Sequence, residues 1–91
     1  MALSAEREFD ILNRLGLHAR AAAQLVRLAN GFASDIRVSK DGVEVNGKSI
    51  MGVLMLAAPK ESKILICATG PDAEEAVAAI GELIARKFGE E

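Results

Sequence analysis

The residue in this sequence best suited to covalent chemistry is its single histidine, His18. It directly precedes residues 19–29, a stretch rich in Ala, Leu, Arg and Gln, which are strong helix formers. His18 is therefore predicted at a helix N-terminus, where the first backbone amides lack intrahelical partners and attract an anion. Arg20 adds a guanidinium, the side chain whose geometry best matches a phosphoryl group. The sequence thus predicts a nucleophilic ring, a fixed cation and an anion site whose backbone donors are Ala19, Arg20 and Ala21.

The same surroundings should affect the charge of the His18 ring. Both the helix N-terminus and Arg20 disfavour the imidazolium, so we expect the neutral, nucleophilic ring to predominate at cytoplasmic pH. From spacing alone, a simple capping or surface histidine is the alternative interpretation of His18.

The rest of the composition excludes several other kinds of chemistry. Cys67 is the only cysteine, so neither an internal disulfide nor a Cys/His zinc site can form. No metal and no cofactor is expected. Eleven Lys and Arg against thirteen Asp and Glu, with no Trp or Tyr, make nucleic acid and an anionic membrane poor partners. The longest run without a charge or hydroxyl, residues 50–59, is too short to span a bilayer. We expect a soluble, cytoplasmic protein with one domain over residues 1–91.

Local patterns predict the elements that position His18. Alternation predicts strands at residues 6–11, 35–40 and 43–45, the last two joined by the hairpin-forming pair Asp41-Gly42. Residues 63–69 read as a further strand. Residues 50–58 fit a buried strand or a short helix, and their Met, Leu and Ala content with Ser49 as N-cap favours the helix.

A last helix is predicted to start at Asp72, which forms a capping-box-like pair with Glu75, and to carry an apolar stripe as far as Phe88. The element order is then β-α-β-β-α-β-α. This order predicts an α+β fold, an open-faced β-sandwich with a four-stranded, mainly antiparallel sheet. The three helices should cover one face, because the strands carry polar residues on the other.

Two segments resemble a known family. Residues 16–26, GLHARAAAQLV, resemble the active-site segment of HPr, the histidine-containing phosphocarrier family of the bacterial phosphotransferase system. Residues 46–54, NGKSIMGVL, resemble its regulatory segment, and the two segments have the family's separation. The resemblance extends over residues 6–88, and the family's open-faced sandwich agrees with the predicted element order.

The resemblance implies a role for each matching residue. In the family, the histidine accepts a phosphoryl group on Nδ1 from a phosphohistidine of enzyme I, which phosphoenolpyruvate charges, and passes it to a histidine of an enzyme IIA domain. Here these roles fall to His18, with Arg20 pairing with the phosphate, in a monomeric carrier. The family commonly has Pro where this chain has Ala21. Unlike Pro, Ala21 supplies one more backbone N–H donor, and it leaves the first turn of the helix slightly less rigid.

The resemblance also implies a regulatory and a docking role. Spacing alone makes Ser49 a plain N-cap, but it matches a serine that a dedicated kinase/phosphorylase modifies in many bacteria. A phosphate there would add about two negative charges where partners dock. Ile50, Met51 and Leu54 match an exposed apolar patch with Gln24 and Arg27 as its polar rim, although spacing alone would place the Met and Leu side chains in the core.

Three alternatives stay open from the sequence. The first is a carrier of the same fold in a nitrogen-related branch, which parallel charging by the two kinds of enzyme I would distinguish. The second is a non-catalytic α/β module that binds a ligand or partner through its open sheet face, which an inert His18 would favour. The third is a purely regulatory protein switched at Ser49, which the intact His18 disfavours.

Overall fold

Four strands form one antiparallel sheet in the computed structural model, which describes residues 3–90. They are β1 (Ser4–Asp10), β2 (Asp35–Lys40), β3 (Val43–Asn46) and β4 (Lys63–Thr69), and their order across the sheet is β1-β4-β2-β3. β4 pairs with β1 on one side and with β2 on the other, so that Ile66 lies between Arg7 and Val38. β2 and β3 form the hairpin that Asp41-Gly42 predicted.

Three helices complete the fold: α1 (Ala19–Ala29), α2 (Ile50–Met55) and α3 (Ala73–Ala85). α3 packs on β1 and β4, and α1 packs against both other helices. Strand residues that point towards the helices are buried, among them Ile36, Val38, Ile64 and Ile66. The opposite face carries polar residues such as Glu6 and Arg37. The predicted open-faced α+β sandwich and its element order are therefore confirmed. None of the helices within residues 3–90 combines the length and apolar character needed to cross a bilayer.

α2 is shorter than the pattern of residues 50–58 predicts. It ends at Met55, because the chain turns at Ala57, whose φ of +48° is left-handed, and Pro59 follows two residues later. After this turn the carbonyl of Ala58 accepts a hydrogen bond from the Leu17 N–H at 2.8 Å. The shortened helix thus brings residues 57–59 against the segment that precedes His18.

The prediction of a capping-box pair at the start of α3 is wrong. Asp72 is the N-cap, but its side chain makes no capping bond within the helix. Its carboxylate instead accepts hydrogen bonds from the N–H groups of Ala33 and Ser34 and from the Ser34 hydroxyl. These bonds lower the pKa of Asp72, with the Ser34 hydroxyl as the main cause. Asp72 therefore links the start of α3 to the loop between α1 and β2.

Candidate functional site

The loop between β1 and α1 fixes the backbone in front of His18. Gly16 has a left-handed φ of +67°, and a Cβ there would lie 2.5 Å from the carbonyl oxygen of Ala58. Both conditions require glycine at this position. The fully buried Asn13 donates from Nδ2 to the carbonyl of Gly16 at 2.7 Å, and Leu17 is buried directly before the histidine.

His18 occupies the N-cap position of α1, in extended conformation and with no capping bond from its side chain. The first intrahelical bond runs from the Ala22 N–H to the His18 carbonyl at 2.8 Å. The N–H groups of the three residues between them have no acceptor within the helix. These residues are Ala19, Arg20 and Ala21. The geometry therefore offers three backbone donors and the positive end of the helix dipole beside the ring.

An open cleft of about 570 Å³ surrounds the histidine. His18 keeps 28% of its side-chain surface exposed to this cleft. The other lining residues are Arg14, Leu15, Ala19, Arg20 and Glu90. Arg20 was predicted from its spacing, whereas Arg14 lies in the preceding turn and was missed because no spacing rule points to it. Two guanidinium groups and a helix N-terminus at one cleft favour an anion.

Glu90 is the site residue that sequence reasoning missed most clearly. Its Oε2 lies 2.6 Å from Nε2 of His18, and its Oε1 accepts a hydrogen bond from Nδ2 of Asn13 at 2.9 Å. The bond from Asn13, followed by that from His18, lowers the pKa of the Glu90 carboxyl. Glu90 thus places a negative charge beside His18 that the sequence analysis did not anticipate.

The predicted docking residues differ in exposure. Ile50 and Met51 are exposed, at 44% and 71%, whereas Leu54 is half-buried against the core. Arg27 is exposed, but Gln24 is half-buried and donates a hydrogen bond to the carbonyl of Phe88 at 3.0 Å. Met55, which the family resemblance did not indicate, is 75% exposed on the same helix as Met51.

Ser49 is the N-cap of α2, as predicted. Its Oγ accepts a hydrogen bond from the Gly52 N–H at 3.1 Å. The neighbouring Lys48 is tied to the end of α1, because its Nζ donates to the carbonyl of Phe32 and its own carbonyl accepts from Asn30. The half-buried hydroxyl thus lies at the start of the helix that carries Met51.

Cys67 lies on the open face of the sheet, where its backbone pairs with Glu6 and Arg37. Burial is the main cause that raises the pKa of its thiol, and the nearby Glu6 raises it further. The thiol is thus held in its less nucleophilic form. Within residues 3–90, no group of three or more His, Cys, Asp or Glu side chains is arranged to hold a metal ion.

The fold and the site define a class: a small α+β sandwich that presents one histidine and an anion site in an open cleft. A family model described as PTS HPr component phosphorylation site matches residues 5–86. The chain belongs to the HPr family, the phosphocarriers of the phosphotransferase system.

Individual relatives agree with this assignment. The chain is 49% identical to phosphocarrier protein HPr of Cupriavidus necator over 85 residues, which cover 93% of this chain and 96% of the relative. It is 45% identical to the HPr of Neisseria meningitidis serogroup A, with the same coverage of both chains. The structure of HPr-C-His from Thermoanaerobacter tengcongensis aligns with a TM-score of 0.92 at 46% identity, covering 96% of this chain and 98% of that one.

Proposed function

We propose that this protein accepts a phosphoryl group on Nδ1 of His18 from phosphorylated enzyme I and passes it to a histidine of an enzyme IIA domain. The observation that carries the proposal is the place of His18 at the N-cap of α1, beside three amides without intrahelical acceptors and beside Arg20. The match of this segment to the HPr family supports the same role.

The chemistry needs little from the protein besides position and charge. In phosphoryl transfer, the negative charge is spread over three equatorial oxygens while donor and acceptor atoms lie roughly in line. Backbone N–H groups held by the helix stabilise that charge, and a guanidinium nearby adds to the effect. Because the cleft is open, another protein's histidine can approach the ring directly, as a carrier between two proteins requires.

Transfer of labelled phosphate tests this proposal. With phosphoenolpyruvate and enzyme I, the native protein should acquire one acid-labile phosphoryl group, since His18 is the only histidine. His18→Ala should acquire none, and the control Cys67→Ser should be labelled like the native protein. Acid-labile label that persists in His18→Ala would refute the proposal. The rates at which this protein is charged by enzyme I of the sugar branch and by enzyme I of the nitrogen branch, measured side by side, then show to which branch it belongs.

We further propose regulation at Ser49. The hydroxyl caps α2 beside the exposed Ile50 and Met51, so a phosphate there would place about two negative charges next to an apolar docking surface. A serine kinase should modify the native protein but not Ser49→Ala. Ser49→Asp should slow charging of His18 by enzyme I, while Ser4→Asp, a control at an exposed position at the start of β1, should not. Equal rates for Ser49→Asp and native protein would argue against the switch.

A further inference from the structure

The last turn of the chain is docked onto the fold and carries Glu90 to His18, a residue 72 positions earlier. Phe88 anchors this turn in the core with 2% of its surface exposed and a left-handed φ of +56°. The side chain of Gln24 in α1 binds the carbonyl of Phe88. As a result the Glu90 side chain is only 14% exposed at the edge of the cleft.

Asn13 holds the other oxygen of the same carboxylate. Its side chain is fully buried, and Nδ2 donates to both Glu90 Oε1 and the Gly16 carbonyl. Its Oδ1 has no hydrogen-bond partner among residues 3–90, so the contribution of this buried side chain comes from its two N–H groups. The carboxylate of Glu90 is thus oriented from one side by Asn13 and faces Nε2 of His18 on the other.

We infer that Glu90 is a positioning residue that fixes the tautomer of His18 for phosphoryl transfer. An ionised carboxylate only accepts hydrogen bonds, so Nε2 must be the ring nitrogen that bears the proton. In the neutral ring, Nδ1 then keeps its lone pair, and Nδ1 has no partner within residues 3–90. The inference rests on the proposed function for its consequence in transfer, whereas the tautomer itself is a property of the unphosphorylated protein.

The same contact also balances charge during transfer. The Nδ1 lone pair forms the new N–P bond while the donor's P–N bond breaks, and the bonding electrons leave with the donor's imidazole. No proton leaves His18, so its ring, substituted on Nδ1 and protonated on Nε2, becomes positively charged. Glu90 faces that positive charge in the same way that a buried carboxylate stabilises the imidazolium of a Ser-His-Asp triad.

Nitrogen-15 NMR of the single histidine tests the tautomer directly, at a pH where the ring is neutral. The native protein and Glu90→Gln should show the proton on Nε2, because the amide oxygen of Gln can still accept it. Glu90→Ala should shift towards the tautomer mixture of an unrestrained histidine. Glu75→Ala, which removes an exposed glutamate of α3, is the control and should match the native protein. A native-like tautomer in Glu90→Ala would overturn the inference.

Transfer rates separate positioning from simple structural support. Glu90→Ala should be charged by enzyme I about 10-fold more slowly, by analogy with the lower end of the loss that a metal-bound histidine shows without its hydrogen-bond partner. Glu90→Gln, which keeps the tautomer and loses the charge, should be charged at an intermediate rate. Unfolding curves should show that all variants are folded. Native transfer by Glu90→Ala contradicts the inference. If the native protein accepts no phosphoryl group, the proposed function fails, and the NMR result still decides the role of Glu90.

Discussion

At the residue scale, Arg20 and the first amides of α1 lie at the same cleft, but their positions are not equally fixed. The amides are fixed by the helix, whereas the Arg20 side chain is exposed and forms no ion pair with a carboxylate of residues 3–90. Its charge contributes only a minor part of the lowered pKa of Glu90. The guanidinium is therefore available for the oxygens of a transferred phosphoryl group.

Arg20→Ala should slow charging of His18 by enzyme I about 100-fold, because a guanidinium donor to the developing anion is lost. Arg20→Lys should recover only part of the rate, since an ammonium keeps the charge but not the planar fork. Arg37→Ala on the open sheet face is the matched control and should retain the native rate. The measurement is rapid-quench phosphotransfer, and a native rate for Arg20→Ala would exclude a role in transfer.

The residues of the site were predictable where one short segment carries them. His18 and Arg20 could be identified because a helix start and a two-residue spacing place them together. Glu90 could not, because it comes from the other end of the chain and meets the ring only through the docking of Phe88. Nothing in the local sequence marks Asn13 as part of the site, and only its burial and its bond to Glu90 show that it orients a carboxylate.

At the scale of elements, His18 depends on two loops that lie far apart in sequence. The turn at residues 57–59 follows α2 and contacts the turn before α1 through Gly16 and Leu17. The lengths of strands β2 and β4 and of helix α1 agree with the sequence patterns. The end of α2 and the partner of Asp72 differ, because contacts between distant segments override the local pattern there.

Gly16→Ala should lower the free energy of unfolding by more than the roughly 1–2 kcal/mol that a left-handed non-glycine residue costs. The added Cβ would also clash with the Ala58 carbonyl, which is backbone and cannot turn away. Gly42→Ala is a matched control with φ of +85° and open space around the new methyl group. Urea unfolding measures both, and an equal loss in the two variants would show that the close approach at Gly16 is unimportant.

Asp72 should make stability depend on pH. Its pKa in the folded chain is lowered, so its contribution is complete above the unfolded value of about 3.9 and is lost as pH falls through the folded value. The Tm of the native protein should therefore fall more steeply below about pH 4 than the Tm of Asp72→Asn, which is already destabilised at neutral pH. Asp41→Asn, in an exposed turn, should follow the native curve. Parallel native and Asp72→Asn curves would contradict this.

At the scale of the whole molecule, exposed apolar side chains are unevenly placed. Met51 and Met55 project from α2, Leu15 lines the cleft of His18, and Val43 lies apart on the edge strand β3. Flexible, unbranched methionine suits a surface that must fit several partners in turn. The overall architecture could be predicted because alternation and helical spacing are strong here. Spacing alone places Met51 in the core, and only the family resemblance indicated that it is exposed, since exposure depends on how α2 packs.

Met51→Glu should weaken binding to enzyme I by at least about 10-fold, because a charge replaces an apolar contact at the proposed docking surface. Its stability should change by less than about 0.5 kcal/mol, since the side chain is 71% exposed. Val43→Glu makes the same chemical change at a 54% exposed position on β3 and should bind like the native protein. Titration calorimetry gives both affinities, and equal losses would locate the surface elsewhere.

The docked last turn has a practical consequence for anyone who produces this protein. Because Glu90 lies in the cleft of His18, a bulky label attached to it would sit next to the reactive ring and block visiting enzymes. Leu3, by contrast, meets Gly70 at the far end of β1, about seven residues of extended chain from Asp10 and the turn before His18. A fluorescent label therefore disturbs the cleft of His18 less at Leu3 than at Glu90.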